Sequence, residues 1–273
     1  MSNCHPARVI AVERLSPNMA RVTLAPVGDW TWVTDGIGDE RIDLAFPRVG
    51  ETEASLAFFN QENYGSAELD YSVEPPWRHY TVRQVRAGGA EFDIDFVLHE
   101  GGHASDWALR AEPGHVLGVF GAGEPTRSHY RDASAVDWQL LVADATGLPG
   151  LGRIVEELQP GQRAHAIVEV ISDEDRQEFE TRGELTIEWL AGSGMGLSPS
   201  RLADAVRALE FPEGTPYVWV ACEAATSRAI RSHLRRDRGL ARDTHSAIGY
   251  WSAGKTGHVT GINAEAEGEP LAS

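Results

Sequence analysis

The sequence predicts two domains: an N-terminal antiparallel β-barrel and a C-terminal α/β domain built on a parallel sheet. Three observations point there. At 273 residues the chain reaches the size at which a single core usually gives way to two. Its first half is rich in short alternating apolar segments and poor in helical periodicity. After about Ser134 the rhythm changes to an apolar strand followed by an amphipathic helix, repeated. The expected divisions are 1–134 for the barrel, 135–262 for the α/β domain and 263–273 for an acidic tail.

"RVIAVERL" (8–15), "MARVTLAP" (19–26) and "RIDLAFP" (41–47) are β-branched or alternating segments separated by Pro, Gly and Asp-rich breaks. In "HYTVRQVRAGGAEFDIDFVLH", Tyr80, Val82 and Val85 precede a Gly-Gly turn. Phe92, Ile94, Phe96 and Leu98 alternate after it, which predicts two strands of a hairpin. "VLGVFGAG" (116–123) supplies another strand, and short strands with little helix between them suggest a small antiparallel barrel. Beyond Ser134, "WQLLVAD" leads into "LPGLGRIVEEL", "RAHAIVEV" follows, "ELTIEWLA" precedes "SPSRLADAVRAL", and "YVWVAC" precedes "EAATSRAIRSHLRRDRG". Strands alternating with helices imply parallel βαβ units with helices on both faces and ligands at the carboxyl ends of the strands. "AGSGMG" (191–196) is glycine-rich but follows a late strand with the wrong spacing for a dinucleotide fingerprint, so it reads as a loop. The tail "NAEAEGEPLAS" has nothing to bury and reads as disordered.

A formal net charge of −17 argues against general binding to nucleic acid or anionic membranes, which depends on Lys and Arg. No apolar run is long enough to span a bilayer and no signal peptide opens the chain, so the expected setting is the cytoplasm, as a monomer. Cys4 and Cys222 lie far apart without ligand spacing and read as free thiols. The basic residues are 23 arginines and a single lysine, Lys255, so a cationic cluster in so acidic a chain would be informative.

"HEGGH" (99–103) satisfies the H-E-x-x-H zinc pattern as text. That motif works on a helix, where both histidines share a face. Here both x residues are glycine, each costing about 1 kcal/mol inside a helix. The alternating strand "FDIDFVL" runs straight into His99. The expectation is therefore a strand end, a glycine turn and a short helix opened by Ala104, Ser105 and Asp106, with no metal. Exposed N–H groups at such a turn suit an anion.

Arg78, Tyr80, Thr81 and Arg83 in "RHYTVR" resemble the R-x-Y-[ST] signature of flavin-binding barrels in the ferredoxin reductase superfamily. "DFVLH" (95–99), "GHASDWA" (102–108), "ADATGLPGL" (143–151), "WVACEA" (219–224) and "GYWSAGK" (249–255) then follow in order. From Arg78 to Lys255 the chain resembles the siderophore-interacting proteins, the FAD-dependent ferric-siderophore reductases. Glu100, His103, Ala145, Gly147 and Cys222 stand where that family usually has Gly, Pro, Glu, Ala and Gly.

The resemblance implies an FAD site in which Arg78 neutralises the diphosphate and Tyr80 and Thr81 contact the isoalloxazine and ribityl chain. Asp95, Val97 and His99 would line the flavin, Ala104 and Ser105 would receive the diphosphate, and Tyr250, Trp251 and Ser252 would close over the ring. The chemistry agrees, since a planar guanidinium suits phosphate and an aromatic ring packs on flavin. NADPH or NADH is expected at Asp144, Thr146, Pro149, Glu223 and Ala224. Asp173, Glu174 and Asp175 favour a ribose diol and Arg176 or Arg201 a 2'-phosphate, so the coenzyme stays open. A catecholate siderophore is anionic, which makes Lys255, with Arg48 behind it, the expected substrate contact. The implied reaction passes electrons from NAD(P)H through FAD to Fe(III) in a siderophore and releases Fe(II), with no catalytic acid, base or protein metal ligand required. Two alternatives stand beside it: a flavin reductase or diaphorase with another acceptor, and a non-catalytic siderophore-binding protein.

Overall fold

The computed structural model describes residues 4–121, 128–131 and 133–254. Lys255 and the acidic tail lie outside the described residues. The alternating segments of the first half form β1 (Cys4–Ser16), β2 (Met19–Pro26), β3 (Arg41–Ala45), β4 (Trp77–Arg86), β5 (Glu91–Val97) and β6 (Val116–Phe120). They close into a barrel in the order β1-β2-β5-β4-β3-β6, every pair antiparallel. Val22, Leu24, Ile42, Leu44, Ile94 and Phe96 point inward and are buried. Each such side chain contributes about 1.5–3 kcal/mol, so this alternating row is the barrel's main stabilisation. The predicted Gly-Gly turn is a 3-10 turn over Ala87–Gly89. Gly89 sits at φ +89° with Trp32 so near that a Cβ would lie 2.0 Å from its carbonyl oxygen, which only glycine permits. After β5 comes the short helix α1 (His103–Ala108).

The second half forms β7 (Trp138–Asp144), α2 (Leu148–Glu156), β8 (Arg163–Val170), β9 (Glu184–Ala191), α3 (Leu202–Ala208), β10 (Pro216–Glu223), α4 (Ala224–Arg236) and β11 (His245–Trp251). The sheet order is β11-β10-β7-β8-β9, all parallel. The chain leaves β7 toward β8 and β9, then returns to the other side of β7 for β10, so the crevice between β7 and β10 is the switch point. β11 was not among the predicted strands. It is an edge strand paired with β10 alone, and Gly249 in its middle weakens the strand pattern. Ala191 ends β9 and residues 192–196 form the expected loop, with Gly192, Gly194, Met195 and Gly196 all at positive φ.

Helices α3 and α4 cover one face of the sheet, burying Leu202, Val206, Ile230 and Leu234. Helix α2 covers the other, and beyond it lies the barrel: Met19 is buried in this second core and Leu15 and Val97 pack against it. The seam is polar as well as apolar. Arg153 of α2 meets the fully buried Glu40 at 2.7 Å and donates to the Val82 carbonyl at 3.1 Å. Arg83 of β4 meets Glu156 at 2.5 Å, and the Trp219 indole donates to buried Asp39 at 3.0 Å. Asp175 accepts from the Ser16 hydroxyl at 2.5 Å and the Asn18 amide at 2.8 Å.

Candidate functional site

The barrel wall parts at one place. Arg86 to Val82 of β4 pair with β5 from Glu91 to Ile94, and there the ladder stops. Trp77–Thr81 continue beside β3 alone, and Asp95–Val97 beside β2 alone. Arg78, Tyr80 and Thr81 thus lie on one lip of this parting and Asp95, Val97 and His99 follow the other, so two sequence-separated groups of candidates are brought together. Successive strand residues face opposite ways. The Tyr80 ring turns in against Phe96 at 4.5 Å and Phe46 at 6.1 Å, with burial raising its pKa. Thr81 turns out to the second half and meets the Tyr250 hydroxyl, whose pKa burial also raises.

Arg78 is the unusual cation. Arg21, Arg41 and Arg86 are matched to Asp95, Asp43 and Asp93, and Arg14, which donates to the Ser16 and Pro17 carbonyls, is exposed. Arg78 is half-buried, donates to the Trp77 carbonyl at 2.6 Å and has no carboxylate partner among the described residues. Burial lowers its pKa, opposed only by the nearby Tyr80 and by no carboxylate. A desolvated guanidinium without a counter-ion fits a diphosphate. Asp95, by contrast, is committed: Arg21 grips both of its oxygens at 2.7 and 2.8 Å, and Arg83 stands 3.9 Å away. Val97 packs against the core of the second half.

After Val97 the chain turns at Gly101 (φ +77°) and enters α1 at His103, so His99 and His103 do not share a helix face. The His99 ring lies over Gly102, where a Cβ would come within 2.3 Å of Cε1. The Ser105 hydroxyl donates to the His99 carbonyl and accepts from its N–H, both at 2.7 Å. Ser105 therefore shapes the turn with its side chain and offers a ligand only its backbone N–H. His103 pairs its Nε2 with the Pro47 carbonyl at 3.0 Å. Ala104 is buried in the barrel core, and the indole N–H of Trp107 is buried without an acceptor among the described residues.

The coenzyme candidates gather at the switch point. Asp144 ends β7 and Glu223 ends β10. Thr146 follows Asp144, and Pro149 sits in the first turn of α2, where its missing N–H costs nothing. Glu223 caps α4, accepting from Ala225 and Thr226 at 2.6 and 2.9 Å, and Ala224 packs against Gly249. Gly147 approaches β10 so closely that a Cβ would lie 2.3 Å from the Ala221 carbonyl oxygen. Burial raises the Asp144 pKa while four donors oppose it. Trp251 donates its indole N–H to Asp144 at 2.7 Å, and Ser252 follows it.

Several other candidate side chains are already engaged within the protein. Asp175 is 1% exposed and ties β1 to the sheet, leaving no oxygen for a ribose. Burial works to raise its pKa, but the Ser16 and Asn18 donors outweigh that and hold it below the usual carboxylate range. Arg176 pairs with the exposed Asp173. Arg201 donates to Ser193 at 2.9 Å and to the Ala191 carbonyl at 2.7 Å, past the end of β9. Arg48 is exposed, donates to the Val73 carbonyl at 2.6 Å, and lies next to the Pro47 that His103 touches. Lys255 is outside the described residues. Both cysteines are free and buried, which pushes the Cys4 thiol up to about 12.

The sequence pattern alone did not single out the seam residues Asp39, Glu40 and Arg153. A signal was present: Arg153 lies on an otherwise apolar helix stretch, "LPGLGRIV", and a buried arginine demands an acid.

A closed barrel followed by this parallel sheet is the ferredoxin reductase-like architecture, and the class it defines is a flavin-dependent oxidoreductase. The model of the siderophore-interacting FAD-binding domain matches residues 8–126, and that of the siderophore-interacting protein matches residues 136–254. The chain belongs to the siderophore-interacting protein family. It is 35% identical over 244 residues to the ferric vibriobactin reductase ViuB of Vibrio cholerae, covering 88% of this chain and 86% of that protein. It is 28% identical over 261 residues to the NADPH-dependent ferric-chelate reductase of Escherichia coli, covering 90% and 91%. The crystal structure of a siderophore utilization protein from T. fusca aligns with a TM-score of 0.75 at 29% identity, over 94% of this chain and 95% of that one. No helix among the described residues is long and apolar enough to cross a membrane.

Proposed function

We propose that this protein is a ferric-siderophore reductase of the cytoplasm that takes electrons from NAD(P)H through FAD and releases Fe(II) from an Fe(III) siderophore. The observation that carries the reading is Arg78, a half-buried guanidinium with no counter-ion among the described residues, on the lip of the parted barrel wall. With the backbone N–H groups of Ala104 and Ser105 it would hold the diphosphate. Tyr80, Thr81, His99, Tyr250, Trp251 and Ser252 would surround the ring, and Thr146, Pro149, Glu223 and Ala224 would line the coenzyme crevice. The names of the Vibrio and Escherichia relatives support the substrate class and the nicotinamide donor.

Bound FAD supplies the exchange between a two-electron hydride donor and a one-electron acceptor. The balance is one NAD(P)H and two Fe(III) giving NAD(P)+, one proton and two Fe(II). The protein binds, orients and excludes water. Ferrous iron matches hard oxygen donors less well than ferric iron and leaves. Lys255 and Arg48 would attract an anionic siderophore.

The purified protein should be yellow and bleach anaerobically with NAD(P)H, and a ferrous chelator should develop colour when a ferric siderophore is added. Failure to bleach with either coenzyme would refute the reading. Faster turnover with quinones or free flavin than with any ferric siderophore would make it a diaphorase.

A further inference from the structure

We infer that Asp144 is a positioning residue for Trp251 and not a direct ligand of the coenzyme. The inference rests on the reading above, in which Trp251 covers the flavin. Asp144 is 2% exposed and its oxygens are fully engaged. Oδ1 accepts the backbone N–H of Thr146 at 2.9 Å and its hydroxyl at 2.6 Å. Oδ2 accepts the backbone N–H of Glu223 at 2.9 Å and the Trp251 indole N–H at 2.7 Å. A carboxylate has about four lone-pair sites, so a ribose hydroxyl could enter only by displacing one of these donors.

The four donors are not alike. Thr146 is two residues away, and Glu223 is also held by the cap its carboxylate makes with the Ala225 and Thr226 N–H groups, so neither depends on Asp144 alone for its place. The indole does. Cys222 pairs with Gly249, but Glu223 pairs with Trp251, leaving Tyr250 as an extra residue in an edge strand. Such a bulge re-aims the residues around it. Beyond it, the segment is held by a 3.4 Å bond from the Ala253 N–H to Glu223. The Asp144 bond, across 107 residues of sequence, fixes the indole's direction at that loosened end. Asp144 thereby ties the β7–β10 crevice, where the coenzyme would sit, to the aromatic over the flavin.

Two measurements test the assignment. In the full-length chain labelled with 15N and without added flavin, the Trp251 indole N–H, assigned with W251F, should exchange slowly with solvent and lose that protection in D144N. An unprotected indole in the wild type overturns the inference, and this arm stands even if D144N does not fold. In the FAD-loaded protein, anaerobic flavin reduction by NAD(P)H should slow about tenfold in D144N, about tenfold in W251F and no further in the double variant, because contacting residues couple. Singles that multiply to about a hundredfold in the double, or a D144N that weakens coenzyme binding while W251F does not, overturn it in favour of a direct ligand. If NAD(P)H reduces no variant and not the wild type, the proposed function fails, and the indole exchange still decides whether Asp144 holds Trp251.

Discussion

In the barrel, Arg78 is half-buried and meets no carboxylate among the described residues, while at or past the carboxyl ends of the sheet strands Asp144, Glu223 and Asp175 are filled by donors of the protein itself. Asp144 holds two strand ends and an indole, Glu223 caps a helix, and Asp175 ties β1 to the sheet. The contrast separates two uses of a buried charge. A filled acid fixes geometry, whereas an unfilled cation fits a ligand of opposite sign that completes it.

The contrast would break most visibly at a filled site. R153A strips the counter-ion from fully buried Glu40 and should destabilise the protein by about 3–5 kcal/mol in urea melts. The unfilled site should behave oppositely. R78A should leave the stability of the flavin-free protein nearly unchanged and weaken FAD binding about a hundredfold by flavin fluorescence, with R78K recovering only part because a lysine is not a planar fork. A flavin-free R78A that unfolds would show Arg78 to be structural and erase the difference.

Acid sharpens the comparison. Burial works to raise the Asp43 pKa, but His79 and Arg41 outweigh it and hold it at about 2 against an ordinary 3.8. A depressed folded value means stability that is present above pH 4 and is lost as the pH falls toward 2. D43N should therefore cost about 2 kcal/mol at pH 5, and the gap to wild type should close as the pH falls to 2 and below. The smallest effect belongs to the exposed Asp173–Arg176 pair. D173A should change stability by less than about 0.5 kcal/mol and leave the KM for NADH where it was. A several-fold rise in that KM would restore the ribose role to this loop.

Alternation in "MARVTLAP" and "EFDIDFV" made the barrel legible, because side chains facing one closed core must repeat every second residue. The flavin signature was legible because Arg78, Tyr80 and Thr81 are neighbours in one strand. Strand β11 was not, since an edge strand with a central glycine carries little pattern. Nor was the fate of Asp175: an acid after a strand looks alike whether it meets a ribose or a hydroxyl, and its partners Ser16 and Asn18 lie 159 and 157 residues away. Long-range pairing is invisible to local spacing, and it is what engages three candidate ligands, Asp95, Asp144 and Asp175, with donors of the protein itself.

The Glu40–Arg153 pair also bears on how such proteins can be recombined. A chimaera joining this barrel to a relative's nucleotide half inherits Glu40 with no guarantee of its arginine, and Asn18 with no guarantee of Asp175. The halves are a matched set, and a crossover between 121 and 138 keeps its fold only where both sides of the seam travel together.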